Sequence, residues 1–373
     1  MPENLLQPKR LEDYLRLTSL YSDFSLVPKS ATKVKVSKIT KLSGGLTNNT
    51  YSFLLTFVNG KSEQSFDLIL KSYTENVGLW FKTSRPGEDA RPYVREFQVL
   101  KGLARVGFPV PIVYLCECDS FFLGHPFVIM RQEKVIQERV SKLDCFAATL
   151  ARLHNLKVKE LGIKSLGYPR DNIAFARERQ ICLKQYLIEN RHYRELKKDF
   201  NYAINWLESN TAENKCPQYC LLHGEYHPGH ALTTNANTLK VIDWESVQIG
   251  DPAFDVGYAY HMIKLMYDND KNSLYGNGLA ERFVSEYSRN FKGDITKRLE
   301  FYKVVGLLGV AIVVSSWISS PIDAYKSFGK KALARSLLYP IPHAYHLFKR
   351  WLDNDFLVDF LKYSVQYIDS TLR

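Results

Sequence analysis

The stretch "LLHGEYHPGHAL", residues 221–232, sets three histidines, a carboxylate and two glycines between apolar ends suited to burial. A second stretch, "VIDWESVQIGDPAFD" at 241–255, follows it closely. Asp243 stands directly after the apolar run "LKVI", where a buried strand gives way to a loop, so its backbone is held while its carboxylate reaches a ligand. The strand ending in "LLH" delivers His223, Glu225 and His230 onto another loop in the same way. Taken alone, Asp243 could simply cap a turn. Two strand-ended loops with carboxylates about eighteen residues apart instead predict a hairpin that converges on one divalent cation.

Working outward, residues 33–41 alternate as a half-exposed strand, "LSGGLTNNT" breaks the pattern and "YSFLLTFV" resumes it. "VNGK" at 58–61 carries an Asn-Gly pair favoured in two-residue hairpin turns, and "FDLILKSY" reads as a third strand. "RPYVREFQVLKGLARVG" then has Pro92 near its start, Val94, Phe97, Leu100 and Leu103 at helical spacing, and Gly107 as its stop. "FPVPIVYLCECD" and "HPFVIMRQ" are two further strands. Residues 1–132 therefore form one lobe, an antiparallel sheet with one main helix. Residues 133–373 form a larger, mostly helical lobe, interrupted by strand-like "YCLLH" and "TLKVIDW". The fold class expected is α+β and bilobal. A chain of 373 residues exceeds one ordinary hydrophobic core, in keeping with that division.

Fifty Lys and Arg against 39 Asp and Glu give a net charge of +11, which would suit an anionic partner. The charge is dispersed. "RHYRELKKD" from Arg191 mixes signs, "KVKVSKITK" from Lys33 alternates with Val and Ile, and no nucleic-acid motif accompanies either, so no specific nucleic acid is expected. The N-terminal "MPENLLQPKRLEDYLRL" has acidic residues where a signal peptide needs a bare apolar run, so none is expected, and "VVGLLGVAIVV" at 304–314 has the length of a core helix rather than a membrane span. Six cysteines are too few for a disulfide scaffold, and a cytoplasmic setting without membrane association is expected. Cys216, Cys220 and His223 lack a fourth ligand for structural zinc.

Neither "NGKS" at 59–62 nor "FGKK" at 328–331 has the upstream glycine of a P-loop. "LSGGLTNNT" also fails the strict G-x-G-x-x-G pattern. Its place in a hairpin between strands nevertheless lets backbone N–H groups approach phosphate oxygens. Lys71 lies in an otherwise apolar strand; it either reaches solvent or holds its ammonium for an anion, with Glu96 on the following helix as its candidate partner.

In this order the features resemble the aminoglycoside phosphotransferase family, with its choline-kinase-like and homoserine-kinase-like relatives, over residues 41–260. "GGLTN" at 44–48 matches the family's glycine loop, Lys71 its strand lysine and Glu96 its helix glutamate, while "HGEYHPGH" at 223–230 stands for the catalytic loop, "VIDWE" for the metal aspartate and "GDPAFD" at 250–255 for the segment after it. The resemblance implies a protein-kinase-like fold and ATP-dependent phosphoryl transfer to a hydroxyl of a small molecule such as a sugar or amino alcohol. It implies nucleotide binding by Gly44, Gly45, Asn48, Lys71, Glu96 and the strand leading to Met130. Asp243 would bind Mg²⁺, and Asp255 would brace the catalytic loop. His223 would shape that loop.

Two residues depart from the pattern. Glu225 replaces the family's catalytic aspartate, with the same chemistry one methylene further out, and is expected as base or hydroxyl-orienting group. His230 replaces an asparagine that supplies Mg²⁺ with a second oxygen. It is carried as a catalytic and metal-site residue that leaves Mg²⁺ to Asp243 and water, favours Mn²⁺, or meets phosphate directly. His227 matches no family element. These departures sustain an alternative reading, a family member that binds nucleotide as a regulator without turnover. The acceptor and the oligomeric state are not legible in the sequence.

Overall fold

The computed structural model describes residues 6–21, 26–42, 48–73, 88–89, 91–135, 143–178, 181, 196–235, 238–264, 278–319 and 354–372. Helix α1 (Pro8–Tyr21) is followed by strands β1 (Lys33–Leu42), β2 (Asn49–Asn59) and β3 (Ser62–Ser72), helix α2 (Pro92–Arg105), then β4 (Val113–Glu117) and β5 (Phe127–Arg131). The five strands form one antiparallel sheet in the order β1-β2-β3-β5-β4. Period-two alternation puts Phe53, Leu55 and Phe57 of β2 and Leu68 and Leu70 of β3 into one core with Leu11, Tyr14 and Leu15 of α1. Each fully buried side chain of this kind contributes about 1.5–3 kcal/mol.

The hairpin between β2 and β3 differs from the expected Asn-Gly turn. Asn59 pairs with Ser62, so the two-residue loop is Gly60-Lys61, with Gly60 at φ +63° in first position. A turn with a single left-handed residue at its first centre fits Gly there and leaves Asn59 in the strand. Helix α2 begins with Pro92 at its first turn and ends as expected at Gly107. Gly107 has φ +71°; its N–H donates to Ala104 and that of Phe108 to Leu103, which satisfies two orphan carbonyls of the last turn.

By internal contacts the chain divides into two units. The first comprises Met1–Val135, Leu161–Ser165 and Lys240–Glu245; the second comprises Ile136–Glu160, Leu166–Leu239 and Ser246–Arg373. Helices α3 (Leu143–His154) and α4 (Leu196–Ser209) open the described part of the second unit, and β6 (Cys220–Leu222) pairs antiparallel with β9 (Gln248–Gly250). Between them β7 (Ala231–Asn235) and β8 (Thr238–Val241) make a two-stranded ribbon. Helices α5 (Ala253–Ile263), α6 (Leu279–Asn290), α7 (Thr296–Ser319) and α8 (Asn354–Leu372) follow. The apolar run at 304–314 lies in α7, where Val304, Val305, Leu307, Leu308 and Ala311 are buried. Among the described residues no helix is long and apolar enough to cross a membrane.

Candidate active site

Strand alternation makes Lys71 a buried cation. Leu68 and Leu70 face the core, so Lys71 points to the opposite side of β3. There its ammonium meets three carboxylates, Asp243 at 2.7 Å, Glu96 at 2.9 Å and Glu245 at 3.3 Å. Burial opposes the charge, but Asp243, Glu245 and Glu96 together overrule it and hold the lysine well above its ordinary pKa. Glu96 is engaged on both oxygens: Tyr73 Oη and Lys71 donate to Oε2, and the Trp244 N–H donates to Oε1 at 3.3 Å. Asn48 Nδ2 donates to Glu245 at 2.5 Å. One ammonium among three carboxylates leaves an excess of negative charge.

The segment that carries Asp243 is tethered within the first unit. Val241 N–H donates to Pro109 O at 2.8 Å and Lys240 Nζ to Val110 O at 2.9 Å, while Trp244 is fully buried and donates its Nε1–H to Val241 O. Asp243 itself adopts φ +64°, a left-handed conformation unusual outside glycine, in which the strand ends abruptly and the carboxylate turns toward Lys71. Its side chain is 30% exposed, against 2% for Glu96 and 9% for Glu245, so it is the carboxylate of the three most open to a ligand. Carboxylate oxygens of Glu96, Asp243 and Glu245 lie within 4.8 Å of one another, an all-oxygen set that fits a hard divalent cation. Met130 lies on β5 opposite Ile69 and is buried; Gly44 and Gly45 fall outside the described residues.

In the second unit, β6 buries Leu221 and Leu222 and delivers His223, also buried, to the loop. Asp255, in the first turn of α5, accepts the backbone N–H groups of His223 at 2.7 Å and Gly224 at 2.9 Å. His154 Nε2 lies 3.2 Å from the same carboxylate; as a donor there it leaves Nδ1 to accept from Tyr287 Oη at 2.8 Å. Gly224 has φ +86°, and a Cβ there would lie 2.0 Å from Ser246 O. Tyr226 anchors the loop from inside, stacked on Phe146 with its hydroxyl on the Phe146 carbonyl at 2.8 Å.

The ionisable side chains Glu225, His227 and His230 of this loop are half-buried. Glu225 Oε1 accepts from Tyr258 Oη at 3.3 Å. His230 Nδ1 donates to the Glu225 carbonyl at 3.0 Å, so the two residues that depart from the family pattern are bonded to each other. His227 Nδ1 accepts from Gly229 N–H at 3.1 Å, and its ring centroid lies 3.9 Å from that of His230. The structure thus gathers Asn48, Lys71, Glu96 and Asp243 in the first unit and His223, Glu225 and His230 in the second. Sequence reasoning gave no role to Glu245, Tyr73 or Tyr258. Glu245 had a signal, standing two residues after Asp243; Tyr73 shares the strand face of Lys71, two residues on.

A model of the phosphotransferase enzyme family matches residues 38–299. Among curated proteins the chain is 27% identical over 245 residues to acyl-CoA dehydrogenase family member 10 of Mus musculus, covering 59% of this chain. It is 29% identical over 181 residues to acyl-CoA dehydrogenase family member 11 of Gallus gallus, covering 44% of this chain. The matched segment spans only 22% of the length of each relative. Among solved structures, a Ralstonia eutropha JMP134 protein assigned to the aminoglycoside phosphotransferases aligns with a TM-score of 0.58 at 14% identity, covering 97% of this chain and 98% of that one. A thermostable mutant of aminoglycoside phosphotransferase APH(4)-Ia, in ternary complex with ADP and hygromycin B, aligns with a TM-score of 0.53 at 15% identity, covering 87% and 98%. These likenesses show the fold, a protein-kinase-like phosphotransferase fold of the α+β class, and with the family match over more than half its length the chain belongs to the phosphotransferase enzyme family.

Proposed function

We propose that this protein is an ATP-dependent kinase that phosphorylates a hydroxyl of a small molecule. The observation that carries the reading is the buried Lys71 ammonium fixed by Glu96 beside Asp243 and Glu245. Phosphoryl transfer asks mainly for positioning and for neutralisation of charge on the phosphate oxygens. Lys71 supplies the fixed positive charge, and Glu96, held on both oxygens, keeps it in place. Asp243 and Glu245 are the residues that would hold magnesium, whose chemistry is to neutralise and orient the transferred phosphate. On the second unit, Glu225 takes the proton of the attacking hydroxyl, and Tyr258 orients its carboxylate. His230 serves this loop through the Glu225 carbonyl, an imidazole role that magnesium does not share.

In this reading residues 1–132 bind nucleotide, with Gly44, Gly45, Asn48 and Met130 contributing, and residues 133–373 carry the catalytic loop, the metal loop with Asp243 and the acceptor site. The setting in this reading is reducing and cytoplasmic, on the ground that six cysteines are too few for a disulfide scaffold in a chain of 373 residues. The acceptor is best sought with a coupled ADP-release screen of hydroxylated metabolites, run with Mg²⁺ and with Mn²⁺. Asp243→Ala should abolish the ADP release found, and Glu225→Gln should lower it by about 10²–10⁴-fold. Undiminished release by Asp243→Ala overturns the assignment. The second reading, a nucleotide-binding regulator, draws on His230 in place of an oxygen ligand; it requires that ATP raise Tm while no acceptor yields ADP.

A further inference from the structure

We propose that Glu225, His227 and His230 form a binding site for a borderline-soft divalent cation of the zinc class, made of other residues than the all-oxygen set around Lys71. One donor atom from each of the three lies within 4.8 Å of the others. Two imidazoles and one carboxylate are the donor set of zinc and its neighbours, whereas magnesium selects oxygen. The three come from a single loop of six residues, so one short segment brings them together.

The loop is built to hold them. Tyr226, between two of the donors, is locked in the core by Phe146, and Asp255 fixes the backbone ahead of Glu225. His230 donates Nδ1–H to a backbone carbonyl, which makes Nε2 the lone-pair nitrogen of the neutral ring. An outer hydrogen bond of this kind is what metal-ligating histidines regularly carry. Tyr258 bonds Glu225 Oε1 and orients the carboxylate in the same manner. His227 Nδ1 already presents its lone pair, to the Gly229 N–H, and exchanges that hydrogen bond for the metal.

The site stands whether or not the protein is a kinase. If Glu225 is the base, as the proposed function holds, a cation on its carboxylate takes the base away, and zinc inhibits transfer.

The test is direct binding to the full chain, freed of metal by dialysis against chelator. Zn²⁺ is titrated calorimetrically, and Co²⁺ is followed by its visible d–d absorption. The expected result is one equivalent bound, with intense d–d bands of a four- or five-coordinate N/O site. His227→Ala and His230→Ala should each weaken binding by about tenfold or more, and Asp243→Ala should leave it unchanged. Circular dichroism establishes that the variants are folded. The proposal is overturned by absence of a bound equivalent, by unchanged affinity in folded His227→Ala, by loss of binding in Asp243→Ala, or by thiolate-to-cobalt charge-transfer bands that put the metal on cysteine. Zinc inhibition of ADP release is a separate readout, so failure of the kinase reading leaves the binding result intact.

Discussion

Lys71 Nζ lies 2.7 Å from Asp243 Oδ1, which ties the third strand of the sheet to the segment after β8 within the first unit. The lysine also holds Glu96 and Glu245, so its removal leaves three carboxylates against one another in a largely buried setting. Lys71→Met should therefore destabilise the protein by roughly 3–5 kcal/mol, the cost of an uncompensated buried charge. Adding Glu245→Gln should recover part of that loss, because the two sites share one network. Urea denaturation of the single and double variants, with and without Mg²⁺, checks both statements; additive losses would refute the shared network.

Glycine at 224 is required by two separate constraints. The left-handed φ of +86° strains any other residue, and an added Cβ would lie 2.0 Å from the Ser246 carbonyl oxygen. Gly60, at φ +63° with nothing within 4 Å of an added Cβ, carries the first constraint alone. Gly60→Ala should cost about 1 kcal/mol and Gly224→Ala more than about 3 kcal/mol, since backbone displacement is added to strain. Thermal melts of the pair measure the difference, and similar Tm values would show that the Gly224 backbone gives way easily.

Asp255 braces the loop at 223–230 through its backbone N–H groups. Replacement by Ala strands the His223 and Gly224 N–H groups in a buried site at about 1–3 kcal/mol each. Asn should rescue part of this, because its carbonyl oxygen can still accept one of the two. The expected outcome is a graded loss of Tm, with Asn between wild type and Ala, and nucleotide affinity unchanged where the variant stays folded. Equal losses for Asn and Ala would mean that the His154 contact, not the backbone N–H groups, sets the requirement.

These three sites also show how far the sequence could be read. Lys71 and Asp243 stand out in the sequence because each sets a charge in or just after an apolar strand, whereas Glu96 reads by itself as an exposed helical charge and its pairing with Lys71 comes from the family resemblance; in the structure it is buried. Glu245 carried no such break, since it follows the buried Trp244 in a turn of 3-10 helix whose direction no short pattern specifies. Tyr258 was silent for a different reason. On the apolar helix α5 it reads as one more core residue, and only the tertiary approach to Glu225 gives its hydroxyl a partner. The sequence alone presents His230 as a catalytic and metal-site residue. Its bond to the Glu225 carbonyl is set by the turn at Pro228–His230, which spacing alone does not fix.

The second unit contains a histidine that should control acid stability. His261 on α5 is fully buried, with Nδ1 3.1 Å from Tyr363 Oη and no partner for Nε2 among the described residues. Burial, reinforced by the charges of Lys303 and Lys264, pushes its pKa down to about 3. The folded protein therefore keeps His261 neutral, while the unfolded chain binds a proton below the ordinary value of 6.5. Between those two values the unfolded state holds more protons, so stability falls as pH falls, by about 1.4 kcal/mol per pH unit for this one group. The loss begins near 6.5 and levels off near the folded value of about 3. His261→Gln keeps a polar partner for Tyr363 but cannot titrate. The stability difference between wild type and His261→Gln should shift by roughly 2 kcal/mol in favour of the variant on going from neutral pH to about pH 5. Urea denaturation of both proteins at the two pH values measures this shift, and a difference independent of pH would mean that His261 titrates in the folded state as it does in the unfolded one.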